Sequence, residues 1–570
     1  MSDADLAMND RMSGEHEPQQ PAEPSEQVAR TDRAAALVAL GILCSRLSGV
    51  IREIVLSAWL GATTLAAEAF AFALGVPKVL QNLLGEGALS ASFIPVYANV
   101  VDRDQRAARR LAGAVFGLLA ALVAALVLLL MLATRPIIAL VARGAGPERT
   151  DLIIDLTRLM APGIGFIVFA AWCLGILNAH REFFLSYVAP VLWNAAIILG
   201  VLLWTTQSDD PADLARAAAW GVFIGGVLQF AVQLPRVLAI AGPITPSLRR
   251  DAPETRQVLR RFGPGVAGRG VLTLSTFVDL ALASFLSLGA LAVLTKAQTL
   301  YLMPISVFAV SIAAADLPEL SREAAAAHAD AGVAHARVRR AVDRVTLLLL
   351  FSALAFILGG RSIVGGLFER GEFTSDDTVT VWMTLAVFSF GLVGSGLSRL
   401  LQNAAFAHGD VAGPARIAFA RLVLAGAVGL ALMWPADRFA VVDGVIRQVE
   451  DLAFAPLDAS VRDLEGSHRL GAVGLAAGGA VAAWVEFALL RRRVGPLGRQ
   501  LGLTPALVRL IPAGIVAGGV IAALAALLDD VAPLLAAPVI VGVPAVVYLL
   551  LAAPLGNATA TELLARVRRG

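Results

Sequence analysis

Apolar residues run for about 20 positions at a time from Ala34 to Leu555, and polar residues collect between those runs. About 20 apolar residues in a helix cross the roughly 30 Å hydrocarbon layer of a bilayer. A soluble protein would need one implausibly large core to hide them all. The pattern predicts about fourteen helices, with cores near 34–60, 65–98, 110–134, 152–178, 184–205, 214–240, 258–287, 290–316, 341–359, 377–407, 412–435, 470–490, 505–528 and 533–554. The second, seventh and tenth are long enough to bend or to extend beyond the membrane. The expected fold class is an all-α polytopic membrane protein. Composition agrees, with 58% hydrophobic residues, a mean hydropathy of +0.75 and 16% charged residues, against roughly 25% charged in soluble domains.

The polar connections alternate in charge. One set is basic, including 102–110, 248–261, 336–344 and 491–500, and the other is acidic, including 207–213, 369–377 and 437–465. Excess Lys and Arg marks the cytoplasmic side. Both termini are then expected inside, with the acidic loops outside. Residues 1–33 lack periodicity and are expected to be a disordered cytoplasmic tail without a signal-peptide core. Within the insert 437–466, Val442, Val445, Ile446, Val449 and Leu452 recur at helical spacing and predict a short amphipathic helix on the outer face.

Two parts of the chain echo one another. His180 and His408, and likewise Gly61 and Gly289, are 228 apart, and Pro77 and Pro304 are 227 apart. "LQFAVQLPRV" (228–237) resembles "VEFALLRRRV" (485–494) at 257, the increment matching the insert. A six-helix unit is therefore expected twice in the same orientation, with substrate carried in the cleft between the halves. The boundaries read 34–240 for the first lobe, 241–261 for a basic linker, 262–490 for the second lobe, and 491–570 for two added helices and a basic tail.

Charges inside the apolar runs are the candidate chemistry. An arginine at mid-bilayer costs about 2.5–3.5 kcal/mol even on lenient scales, so Arg46 and Arg52 are expected to face a wet cavity or a partner. They can share one cavity with Glu53 only if the first helix distorts, and Ser48-Gly49 offers the place. The second helix adds Glu68, Lys78, Gln81, Asn82 and Glu86, and the seventh and eighth add Arg269, Asp279, Lys296 and Gln298. Arg46, Arg52, Lys78 and Lys296 together describe a cationic cavity suited to phosphate groups.

The stretch "SRLSGVIREIVLSAWLGATTLAAEAFAFALGVPKVLQNLLGEGALSASFIPVY" (45–97), with "FVDLALASFL" (277–286) and "LFERGEFTSDD" (367–377), resembles the MurJ/MviN family of lipid II flippases. The resemblance covers about residues 38–555. It implies the two-lobed fold of the multidrug/oligosaccharidyl-lipid/polysaccharide exporter superfamily. It also implies transport of undecaprenyl-diphosphate-linked peptidoglycan precursor without bond cleavage, with the diphosphate on Arg46 and Arg52. Where the family has an Arg pair on helix 2, this chain has Gln81-Asn82. Where it has Ala-Asp-Arg on helix 8, this chain reads Ala297-Gln298-Thr299, and Lys78 and Lys296 are expected to restore the charge. Glu53, Glu68, Glu86 and Asp279 are gating or coupling candidates. Asp279 matches an acid tied to sodium in some members. Its helix-11 partners are replaced by Ala425 and Gly429, and Arg421 intrudes, which argues against sodium coupling.

No other cofactor is expected. "GPGVAG" (263–268) lacks the preceding strand of a dinucleotide site. Neither a P-loop nor metal-ligand spacing occurs, and Cys44 and Cys173 lie in apolar segments, so no disulfide is expected. A net charge of +2 gives no ground for a nucleic-acid partner. Expected partners are the lipid-linked precursor, membrane lipids and cell-wall synthesis proteins. Alternatives are a multidrug or other lipid-linked oligosaccharide antiporter of the same superfamily, and a membrane glycosyltransferase.

Overall fold

In the computed structural model the described residues are 24–306, 331–407, 410, 412–494 and 503–567. The first half contains α1 (Pro24–Leu60), α2 (Leu65–Leu84), α3 (Glu86–Ser92), α4 (Ile94–Val101), α5 (Gln105–Leu132), α6 (Thr134–Val141), α7 (Pro147–Ala179), α8 (Phe183–Trp204) and α9 (Pro211–Ala241). The second contains α10 (Pro253–Ser284), α11 (Ala290–Pro304), α12 (Ala331–Leu358), α13 (Gly360–Phe368), α14 (Ser375–Ser389), α15 (Leu392–Ala407) and α16 (Ala412–Ala436). It continues with strands β1 (Phe439–Val442) and β2 (Val445–Gln448), α17 (Ala459–Arg462) and α18 (Gly471–Arg493). Helices α19 (Leu503–Leu527), α20 (Pro533–Ala552) and α21 (Ala558–Val567) follow.

Apolar periodicity placed these helices well, since long apolar runs have no other way to satisfy their backbone in lipid. Among the described residues nine helices are long and apolar enough to cross a membrane, or ten if the α14/α15 pair, bent by 46°, is one span. Four expectations change. The second segment is three helices rather than one, broken at Gly85 and Phe93. Residues 24–33, expected in the disordered tail, already belong to α1, and 1–23 lie outside the described residues. Helix α1 runs through Ser48-Gly49 without a break.

The insert differs most. Val442 pairs with Val445 and Val441 with Ile446 in an antiparallel hairpin, not a helix. Its two-residue turn is Asp443-Gly444, with φ of 54° and 74°, as a tight hairpin turn requires. The β-branched run fits both periods over so few residues, and the Asp-Gly turn decides between them. The far edge of β1 is covered by the returning chain, Val441 N–H donating to His468 O at 3.0 Å and Leu470 N–H to Phe439 O at 2.9 Å.

The internal repeat is visible in packing. Gly61 and Gly289 precede α2 and α11 with φ of +69° and +91°. A Cβ on Gly163 would stand 2.5 Å from Phe223 Cα, and one on Gly391 2.8 Å from Ala480 Cα. Those positions are related by the sequence offsets 228 and 257, so the same close helix contact is made twice by small residues. Glu182–Arg236 and Asp410–Arg493 are a third matched pair, ion-paired at the basic-loop end of each half. His408 lies outside the described residues.

A continuous apolar core joins the halves toward the acidic-loop end, including Leu60, Phe70, Ile138, Leu291, Phe368 and Phe373. Helices α19 and α20 attach to the second half through Leu347, Leu510, Ala517 and Tyr548.

Candidate functional site

Below that shared core a cavity of about 260 Å³ opens between the halves, lined from α1, α2, α10 and α11. Ala67, Phe70, Leu74, Lys78 and Asn82 form one stripe of α2 along its wall, as 3.6-residue periodicity requires. Six of the sequence candidates meet there: Glu53, Lys78, Asn82, Asp279, Lys296 and Gln298. Lys296 crosses between the halves, its Nζ donating to Ser57 Oγ at 2.7 Å and standing 6.0 Å from the Phe373 ring centroid. Glu53 has Arg52, Lys296 and Lys78 as its charged neighbours.

The two arginines of α1 do not line this cavity, contrary to the expectation for a distorted helix. Because α1 stays regular, Arg52 points sideways onto α8. Its Nη1 donates to Asn194 Oδ1 at 3.1 Å, its Nη2 to Glu53 Oε1 at 2.5 Å, and it lies 5.1 Å from the Trp193 ring centroid. Asn194 is itself oriented by donating to Ser48 Oγ at 2.8 Å. Ser48-Gly49 thus serves helix approach rather than a kink, with Gly49 facing Asn194. Arg46 is exposed beside Leu43 and Leu47 and makes no ion pair among the described residues. Gln81 lies off the cavity, its carbonyl capping α2 through Gly85 N–H at 2.9 Å. Glu86 opens α3, and the side chains of Glu86 and Arg269 lie outside the described residues.

Glu68 works elsewhere, in a seal at the acidic-loop end. Its carboxylate accepts from Arg149 Nη2 at 2.6 Å, with side-chain exposures of 0% and 1%. It also accepts from Ala292 N–H at 2.9 Å and Leu291 N–H at 3.3 Å. Those amides are unsatisfied donors at the start of α11 and carry its positive dipole end. One carboxylate of the first half therefore caps a helix of the second. Beside it Thr63 Oγ1 donates to Asp377 Oδ1 at 2.9 Å, Gly466 N–H to Thr63 O at 3.1 Å, and Glu372 N–H to Ala58 O at 2.8 Å. Asp377 meanwhile closes the capping box of α14 with Thr374.

His468 completes the seal, its Nε2 3.4 Å from Asp377 Oδ1. Burial pulls its pKa down, but Asp377, Asp376 and the Gly466 backbone outweigh that and leave it above the ordinary value. The sign follows from linkage. A raised folded pKa contributes stability fully below the unfolded value of about 6.5, and that stability is lost as pH rises through the folded one. A Leu65→Cys/Glu465→Cys cross-link reports closure, since Leu65 N–H lies 2.7 Å from Glu465 Oε1. Its yield is expected to fall as pH rises above about 6.5, and H468Q to flatten that profile.

Sequence reading missed Arg149, Ser57, Asn194, Asp377 and His468. Asn194 had a signal, as an amide within an apolar run. Arg149 had only its place as a cation within an otherwise acidic stretch. Among the described residues no group of three or more His, Cys, Asp or Glu could hold a metal ion.

Comparison with known proteins follows the same lines. A sequence model of the family "Lipid II flippase MurJ" matches residues 56–442. The lipid II flippase MurJ of Burkholderia cenocepacia is 31% identical over 404 residues, which is 69% of this chain and 76% of that protein. A solved structure of lipid II flippase MurJ in an inward closed conformation superposes with a TM-score of 0.72 at 20% identity, covering 91% of this chain and 98% of that one. An inward-facing multidrug resistance MATE family transporter of the MOP superfamily gives 0.59 at 16% identity, covering 82% and 99%. The last two likenesses concern the fold.

Proposed function

The chain belongs to the lipid II flippase MurJ family, and we propose that it moves the diphosphate-linked lipid precursor of peptidoglycan across the bacterial cytoplasmic membrane by alternating access. The single observation that carries this reading is the inter-half cavity walled by Lys78 and Lys296 and sealed at the acidic-loop end. Ammonium groups in a site of low dielectric favour phosphate oxygens. About 260 Å³ is below the usual range of about 300–1,000 Å³ for ligand pockets. The halves must therefore part at the basic-loop end to admit a sugar–peptide head group. Release on the other side requires the contacts of Glu68 with the Leu291 and Ala292 amides, and of Thr63 with Asp377, to break. No bond of the substrate is made or broken, so the protein is a transporter and not an enzyme.

The basic loops and both termini are cytoplasmic in this reading, and the hairpin insert is exterior. Arg52, held between Glu53, Asn194 and Trp193, is a reserve cation one residue from the cavity wall. A turn of its side chain would bring it to the diphosphate. Cell-wall synthesis proteins that consume the product are the natural partners.

The test is complementation of a bacterium depleted of its own flippase. The wild-type chain is expected to restore growth, and K78A/K296A to fail at equal membrane abundance. S57A, which removes only the tether of Lys296, is expected to retain function. Normal growth with K78A/K296A would remove the two cavity lysines from the mechanism.

A further inference from the structure

The second half holds another group of polar side chains, apart from the seal. Arg421 on α16 donates to Glu486 on α18 at 2.7 Å, and Gln402 on α15 donates to the other oxygen of the same carboxylate at 2.9 Å. Glu486 is 2% exposed. Asp279 on α10 and Gln298 on α11 line the same inter-half cavity, and the charge of Arg421 acts on the Asp279 carboxylate. Tyr301 and Ser395 share a 2.6 Å hydrogen bond beside the same guanidinium.

Two carboxylates set within membrane-spanning helices need a counter-charge, since an unpaired buried ion is costly. It can come from a proton, a bound cation or a side chain. A hard cation wants several oxygen ligands around it. On α16, Gly426 faces α10, where a Cβ would sit 3.6 Å from Val278, while Ala425 and Gly429 pack against α18, and none of the three has a side-chain oxygen. The Arg421 guanidinium already supplies positive charge to Glu486 at 2.7 Å, and its field also reaches Asp279. The residues present do not fit sodium.

The repeat supplies independent support. Arg52 and Trp193 face one another on the first and fifth helices of the first lobe. Their counterparts 228 residues later are Leu280 and Arg421. Each lobe thus carries one guanidinium at this pair of repeat-related positions, on the first helix in one lobe and on the fifth in the other.

We propose that Arg421 is a tethered cation standing where a bound alkali ion would otherwise neutralise Asp279 and Glu486, so that this lobe binds no sodium. A cation fixed to the chain cannot be exchanged across the membrane. A sodium gradient therefore does no work through this site, whichever lipid-linked head group is carried.

Purified protein in lipid nanodiscs is expected to show equal Tm in sodium and choline chloride and no saturable binding of radioactive sodium. Saturable binding, or a sodium-specific rise in Tm, would overturn the proposal. R421A is expected to lower Tm by several degrees, and R421K by less. Adding E486Q to R421A is expected to restore most of the loss, because a neutral amide needs no counter-charge. If R421A and E486Q were simply additive, Arg421 would not be neutralising Glu486 and the idea would fail.

Discussion

Glu68→Ala is expected to be the most damaging single change in the protein, lowering stability by about 3–5 kcal/mol and abolishing transport. It leaves the Arg149 guanidinium, 1% exposed, with Asp463 at 3.9 Å as its one remaining acid among the described residues and the Phe72 ring at 5.2 Å. It also strips Leu291 and Ala292 N–H of their acceptor at the start of α11. Arg149→Ala is expected to cost less, toward about 3 kcal/mol, because the carboxylate it abandons keeps two amide donors and the helix dipole. The ordering separates this account from a generic buried ion pair, in which either deletion would hurt alike. Thermal unfolding in detergent reads the stability, and complementation reads the transport. Equal stability of wild type and E68A would show that the seal does not hold the halves.

Gly289→Ala should jam the same end by sterics rather than charge. At φ +91° an L-residue is strained, and its Cβ would lie 2.5 Å from Thr63 Cα and 2.8 Å from Ala62 O. Backbone cannot yield as a side-chain tip can. The strain alone costs about 1–2 kcal/mol, and the overlap can be relieved only by separating the halves. G289A is therefore expected to lower the Leu65→Cys/Glu465→Cys cross-link yield several-fold and to accumulate protein open at the acidic-loop end. Gly61→Ala, with φ +69° but nearest atoms 3.1 Å away, is expected to show a smaller effect. Unchanged cross-linking in G289A would mean that the turn relaxes without parting the lobes.

Both expectations depend on contacts that the chain order conceals. Glu68 and Arg149 are 81 positions apart, and Thr63 and Asp377 are 314 apart. Sequence reading recognised Glu68 as a charge in an apolar helix that must be satisfied, without indicating by what. Lys78 and Lys296 were legible as one site because the repeat places their helices face to face, and both line the cavity. Arg52 was legible as a charge needing a partner or a cavity, and it lies off the cavity. Its direction depends on α8 lying close at Gly49, where Asn194 and Trp193 capture it. The hairpin was misread because five apolar positions fit a helical period, while Asp443-Gly444 carried the decisive turn signal.

By itself the sequence determined the helices, their repeat and the chemistry of the cavity wall. Apolar runs of bilayer length admit one backbone solution, and repeated glycines and prolines mark the same turns twice. Only the tertiary structure decided which charges meet substrate space and which are spent on the seal or on each other. A buried charge is satisfied by whatever lies within about 3 Å of it, and that neighbour can be the next residue, as Glu53 is for Arg52, or lie in the other half, as the Leu291 and Ala292 amides do for Glu68.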